Sequence, residues 1–338
     1  MAFLRRLFMA LLGLLIVLVS IWGTLAVYFS ASGAGVTGLP MALAAGFALV
    51  SVATLVGLCR ARWRWRALAA YALAVVVLLV YWRGIEPSNH RDWQDDVAVL
   101  PFATVDGDQV RVHNIRNFSY RSETDYSPAY DDRVFYLSQL QGVDLLSVYW
   151  MGPAVAHVFL SFAFSDGQHL AVSIETRKEK GEGYSTLRGF FRQYELFYVV
   201  ADERDVIRLR TNYRRDPPED VYLYRLAVPV EHVRSLFLEY LRSMNALREQ
   251  PEFYNSLTTN CTTRIWMMAG VNAQRLPLSW KILASGYVPE YLFENARLAT
   301  DGQAFAELQR QALINPRAQA ADSAADFSSL IRAPKVAP

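Results

Sequence analysis

Cys59 and Cys261 are the two cysteines of this 338-residue chain, and the second is the one set up for chemistry. It opens a segment, Cys261 to Ala269, in which Ile265, Met268 and Ala269 share a helical face with it. Thr259 or Asn260 would cap the start of that helix and Gly270 suits its end. A thiol in the first turn of a helix sits where unpaired N–H groups and the helix dipole favour negative charge, which lowers its pKa and exposes a thiolate. The same N–H groups can stabilise the oxyanion of a tetrahedral intermediate. The competing reading is a small buried hydrophobe, the usual role of a free cysteine.

A thiolate nucleophile needs a base, and the base needs a group to orient it. Besides His90 near the spans, the candidates are His113, His157, His169 and His232. His232 stands near the start of a helix on its solvated side, His169 follows a turn, and His113 ends a hairpin. His157 differs because it opens an otherwise apolar strand, Val158-Phe-Leu-Ser-Phe-Ala-Phe164, and acquires Glu175 as a cross-strand neighbour. Glu175 would accept the Nδ1 proton and hold the ring for Cys261. A structural His/Glu pair in a sheet is the alternative.

The Glu175 neighbour follows from register. Ala156 to Phe164 and His169 to Thr176 are predicted strands joined by Ser165-Asp166-Gly167, a type I turn with glycine in the left-handed region. Pairing Phe164 with Gln168 makes every opposite pair sum to 332, so His157 faces Glu175. An earlier hairpin is predicted from Ala103-Thr-Val105 and Val110-Arg-Val112 around Asp106-Gly107-Asp108. Leu196 to Val200 and Val221 to Val228 are predicted strands, and Asp202 to Asn212 fits strand or helix. The apolar spacing of Val233, Leu236, Phe237, Tyr240, Leu241, Met244 and Leu247 predicts a helix over Val230 to Arg248, stopped by Pro251.

Ahead of these elements lie three uncharged apolar runs, Leu7 to Phe29, Leu39 to Leu58 and Ala67 to Trp82, each near the ~20 residues that a bilayer-crossing helix requires. A single run could pass for a secretory signal, but two more follow at once. Arg5 and Arg6 precede the first run, and Arg60, Arg62, Arg64 and Arg66 fill the second connection, whereas the first connection, Ser30 to Gly38, has no charge. Basic residues stay on the cytoplasmic side. The expected protein is therefore a bacterial inner-membrane protein with a cytoplasmic N-terminus and a periplasmic domain. Residues 1–82 form the anchor, 83–96 a linker, 97–300 the periplasmic domain, and 301–338 a helical extension that turns Ala-, Ser- and Pro-rich after Pro316 and is expected to be disordered.

The net charge of +2 conceals an uneven distribution. Residues 1–82 hold six Arg and no acid, which leaves 28 basic against 32 acidic residues beyond them, a balance of −4. That disfavours a nucleic-acid partner, which needs a basic face. No His or Cys spacing resembles a metal site, and the isolated Gly181-x-Gly183 makes no nucleotide loop, so no cofactor is expected. Arg177-Lys-Glu-Lys180 is either a solvated turn or a grip on a phosphate or lipid headgroup. An unpaired Cys261 in an oxidising compartment stands out, since Cys59 lies at the cytoplasmic end of a span and cannot reach it.

Five blocks carry a family resemblance: Pro87-Ser-Asn-His-Arg-Asp-Trp93, His113-Asn-Ile-Arg-Asn-Phe118, Ala156-His-Val-Phe-Leu-Ser-Phe162, Ser173-Ile-Glu-Thr-Arg-Lys-Glu179 and Thr258-Thr-Asn-Cys-Thr-Thr263. Over Glu86 to Leu298 the chain resembles the periplasmic N-terminal domain of Lnb-type bacterial lipoprotein N-acyltransferases. The resemblance implies an α+β fold of the permuted papain-like (NlpC/P60-type) group, an antiparallel sheet with helices in which the histidine strand precedes the cysteine helix. It implies Cys261 as nucleophile, His157 as base and Glu175 as third member. The chain departs from the full-length acyltransferases in carrying its membrane spans before the domain. The activities to be expected are acyl transfer or acyl hydrolysis on a membrane lipid or lipoprotein through a thioester, or a peptidoglycan amidase or peptidase reaction, or a non-catalytic envelope binding module.

Overall fold

A computed structural model describes residues 2–30, 38–272 and 274–333 and divides into two compact units. The first comprises residues 1–90, 182–195 and 253–255. Its three helices, α1 (Ala2–Ser30), α2 (Gly38–Leu58) and α3 (Arg64–Arg83), are each long and apolar enough to cross a membrane. They pack through Ile16, Phe47, Tyr71 and Leu78, and Ser20 bonds Tyr71 Oη at 2.9 Å. At Gly23 a Cβ would stand 2.5 Å from Leu78 and 2.6 Å from Phe47, so glycine is what permits this approach. Most of the uncharged first connection, residues 31–37, lies outside the described residues.

The second unit, residues 91–181, 196–252 and 256–338, is mixed α/β around a mostly antiparallel sheet. Its strands are β1 (Phe102–Asp106), β2 (Gln109–Arg116), β5 (Tyr130–Tyr136), β6 (Leu140–Tyr149), β7 (Ala156–Phe164), β8 (His169–Arg177), β9 (Glu195–Ala201, whose first residue belongs to the first unit) and β10 (Asp220–Arg225). A separate small hairpin is made by β3 (Ser119–Tyr120) and β4 (Tyr126–Ser127). The order across the sheet is β1-β2-β9-β8-β7-β6-β10, with β5 also on β2 and one parallel contact, Arg116 opposite Ala201. The β7–β8 pairs, Leu160 with Val172 through Ala163 with His169, have the expected register, and Gly167 takes the expected positive φ of 86°.

One face of the sheet (Leu146, Val148, Phe159, Phe197, Val199) packs on α4 (Glu203–Arg208) and the C-terminal helices. The ambiguous 202–212 segment is thus helical, capped by Asp202 and continued by a π-turn over Leu209–Tyr213. On the other face Phe162 meets Phe237 of α5 (Val230–Glu249) at 4.9 Å between rings. There follow α6 (Cys261–Met268), α7 (Trp280–Leu283), α8 (Val288–Glu294), α9 (Phe305–Ala312), α10 (Asn315–Ala320) and α11 (Phe327–Leu330).

Three expectations change. The linker ends earlier than residue 96, because the folded unit starts at Arg91 and Trp93 is buried beneath the Arg177 guanidinium, 4.3 Å away. Arg177 is consequently not part of a solvated turn, since it donates to the carbonyls of Val97 and Ala98 at 2.9 and 2.8 Å. Nor is the chain after Pro316 a disordered tail as far as Ala333. Ile314, Ala318, Phe327 and Ile331 are completely buried on the sheet, and Arg332 donates to Asp144 and Glu203 at 2.9 and 2.8 Å. Alanine-rich composition suggested disorder, but a few well-spaced apolar side chains suffice where an apolar floor already exists. Residues 334–338 of that expected tail lie outside the described residues.

Burial pushes the Glu203 carboxyl up, yet Arg332 outweighs it and holds the group at about 2, below its ordinary 4.5. A depressed carboxylate stabilises the fold fully above about pH 4.5, and that contribution is lost as pH falls toward 2. Asp144, pushed up by burial, works in the opposite direction. The expected result is that acid-side loss of stability in this window is smaller in Glu203→Gln than in the parent, measured as Tm against pH.

Candidate active site

The Cys261 helix begins where its local sequence dictates. Asn260 Oδ1 accepts from the Thr262 and Thr263 amides at 3.0 and 2.9 Å, and Thr263 Oγ1 accepts from the Asn260 amide at 3.0 Å. This reciprocal capping box selects Asn260 rather than Thr259 as the cap. Among the described residues no acceptor is bonded to the Cys261 amide itself, the first N–H of the helix.

His157, second residue of β7, hydrogen-bonds the Cys261 thiol, and the Val158 and Thr262 amides also donate to the sulfur. On the far side of the ring, His157 Nε2 is 2.7 Å from Ser173 Oγ and 3.4 Å from Glu175 Oε1. Ser173 Oγ donates to Glu175 Oε1 at 2.9 Å, because a carboxylate can only accept. With its one proton committed there, Ser173 must accept from His157, so Nε2 carries a proton and Nδ1 is left for the sulfur. The orientation expected for Glu175 is therefore corrected in one respect: it lies at the Nε2 end, chiefly through Ser173, and not on Nδ1.

Arg210 completes the chain. Its Nη2 donates to Glu175 Oε1 at 2.9 Å, and its Nη1 reaches Glu219 Oε2 at 3.4 Å. Burial pushes Glu175 up, but the bond to His157 and the Arg210 charge bring it well below the usual carboxylate range. Burial and Arg210 push His157 down, and its bonds to Cys261 and Glu175 outweigh them to raise it. Burial pushes the Cys261 thiol up, whereas His157 and the two amides win and lower it. The two shifts favour the same species, a thiolate beside an imidazolium.

One segment clasps both halves of the pair. The Ile282 carbonyl accepts from Thr262 Oγ1 at 2.8 Å, next to Cys261. Ser285 Oγ accepts from the Ala156 amide at 2.9 Å, next to His157, and the Gly286 amide donates to the Ala154 carbonyl at 3.1 Å. A Cβ at Gly286 would lie 2.0 Å from the Pro153 carbonyl oxygen, so only glycine allows this closure.

The structure thus brings Cys261, His157 and Glu175 together. It leaves the other histidines outside: His113 stacks on Phe102 and bonds Asp132 at 2.6 Å, His169 stays by its turn at Gly167, and His232 is on α5. Sequence reasoning missed Ser173 and Arg210. Ser173 carried a usable signal, standing two residues from Glu175 on the same strand face. Arg210 carried none, since its segment fitted either helix or strand.

No curated protein and no solved structure matches the chain. A family model does match over residues 126–286, a stretch that includes His157, Ser173, Glu175, Arg210 and Cys261. By that match, residues 126–286 of this chain are similar to the Lnb N-terminal periplasmic domain.

Proposed function

We propose that the protein is a membrane-anchored periplasmic cysteine acyltransferase or acyl hydrolase, acting on a membrane lipid or lipoprotein, with its N-terminus in the cytoplasm. The carrying observation is the hydrogen-bonded Cys261–His157 pair at a helix N-terminus, with the ring fixed behind by Ser173 and Glu175. The Cys261 thiolate attacks the carbonyl carbon of an acyl ester, and the oxyanion that forms takes the Cys261 amide as donor. The C–O bond then breaks, His157 passes its Nδ1 proton to the leaving alkoxide, and a thioester remains. An amine or water attacks that thioester while His157 takes its proton back, which releases the acyl product and restores the thiolate. The orientation rests on the six Arg that flank the spans and the uncharged first connection.

The test is acylation from a phospholipid carrying an alkyne-tagged acyl chain, using the full chain with Cys59→Ser so that Cys261 is the sole thiol. A hydroxylamine-sensitive adduct is expected and should disappear in Cys261→Ala. An undiminished adduct in Cys261→Ala, or cleavage of muropeptides with no adduct, would refute the acyl reading.

A further inference from the structure

Residues 182–195, which lie between β8 and β9 in the chain, belong to the same compact unit as the three apolar helices. Within this stretch a 3-10 turn covers Arg188–Phe190, and the Phe190 and Phe191 amides donate to the Leu187 and Arg188 carbonyls at 3.2 and 2.9 Å. In such a turn, residues three apart share a side. Arg188 and Phe191 accordingly meet one partner, Phe29 near the end of α1: the guanidinium lies 6.0 Å from its ring centre and the Phe191 ring stacks on it at 5.6 Å. Leu187 and Phe190 share the adjacent side, and both are exposed.

Arg192 fixes the height of the turn on the helices. Its Nη1 donates to the carbonyls of Trp82 and Ile85 at the end of α3, at 2.7 and 3.0 Å, and its guanidinium lies 5.0 Å from the Trp82 ring centre. A cation there satisfies carbonyls that the last turn of a helix leaves open. Arg192 does this from a left-handed φ of 54°, which a non-glycine residue holds only where its surroundings fix it.

The depth of these contacts follows from helix geometry. The uncharged run from Leu7 to Phe29 rises about 33 Å at ~1.5 Å per residue, close to the ~30 Å of a bilayer's hydrocarbon core. Phe29 therefore marks the edge of that core on the side opposite the N-terminus. Trp82 packs on Trp22 of α1, with 5.3 Å between rings, which sets it about 10 Å deeper than Phe29. A segment that touches both residues stands within the leaflet.

We propose that Leu187 and Phe190 insert into the lipid leaflet opposite the N-terminus, as a membrane-dipping turn whose depth Arg192 sets. The partner is the bilayer that holds the spans. Tyr28 and Tyr81, exposed near the same helix ends, continue the apolar patch onto the lipid-facing surface and supply the aromatic belt of an interface. The proposal is independent of whether Cys261 reacts.

The test attaches one NBD fluorophore through Leu187→Cys or Phe190→Cys, in the full chain with Cys59→Ser and Cys261→Ser, reconstituted in phosphatidylcholine nanodiscs. Lipid carrying a nitroxide on carbon five of its acyl chain should quench both labels at least twofold, and lipid with the nitroxide on carbon twelve should quench them less. Aqueous iodide should quench either label at least fivefold less than it quenches free NBD-cysteine. Arg192→Ala should then remove at least half of the nitroxide quenching. Strong iodide quenching with none from either nitroxide lipid puts Leu187 and Phe190 in water and overturns the insertion. Nitroxide quenching that is undiminished in Arg192→Ala overturns the role of Arg192 in setting the depth.

Discussion

In a Cys59→Ser background, His157→Ala should slow alkylation of Cys261 by iodoacetamide at pH 7 by at least tenfold and lower acyl turnover by roughly 10²–10⁴-fold. The cause is the balance at the sulfur. Burial raises the thiol, and the imidazole is the largest influence bringing it down. Without the imidazole, the two amides alone oppose burial, and the midpoint of the alkylation rate against pH should move up past the ordinary thiol value of about 8.5. Turnover falls further than reactivity because the proton donor to the leaving group is also gone. Identical pH–rate curves in parent and variant would mean that the pair is only a packing contact.

The largest expected effect on stability comes from Arg332→Ala. Asp144 and Glu203 are both fully buried, and Arg332 bonds both. Removing that cation strands the Glu203 carboxylate in the interior, while Asp144 keeps Arg225 at 2.7 Å, and breaking such a buried pair costs about 3–5 kcal/mol. For a domain of this size that is a Tm loss on the order of 6–20 °C, read from intrinsic tryptophan fluorescence of the full chain in detergent. Arg310, exposed and paired with Glu307 along α9, supplies the control, since Arg310→Ala should leave Tm unchanged. Equal melts for parent and Arg332→Ala would mean that the C-terminal helices do not belong to the cooperative unit.

Much of the site was legible from local pattern. The helix at Cys261 follows from a cap and a 3.6-residue apolar stripe, whereas Gly270, expected at its end, lies inside a 3-10 turn over Ala269–Val271 that follows the last helical residue, Met268. The His157–Glu175 neighbourhood follows from one turn length, because a hairpin propagates its register without further information. Both are short-range consequences of backbone geometry. Strands β5 and β6 were not read at all, and Arg210 fell in a segment whose alternatives differ in which side chains face the sheet.

What the sequence by itself determined about this protein is the set of apolar spans, the hairpin with its histidine, and the helix with its cysteine, each a local match between residue period and backbone period. Tertiary structure alone decided that imidazole and sulfur meet, that Ser173 and Arg210 stand behind the ring, and that an Ala-rich C-terminus closes the core. Those outcomes depend on how a sheet stacks against helices distant in the chain. That stacking is chosen by summed burial over many residues, which no single stretch of sequence displays.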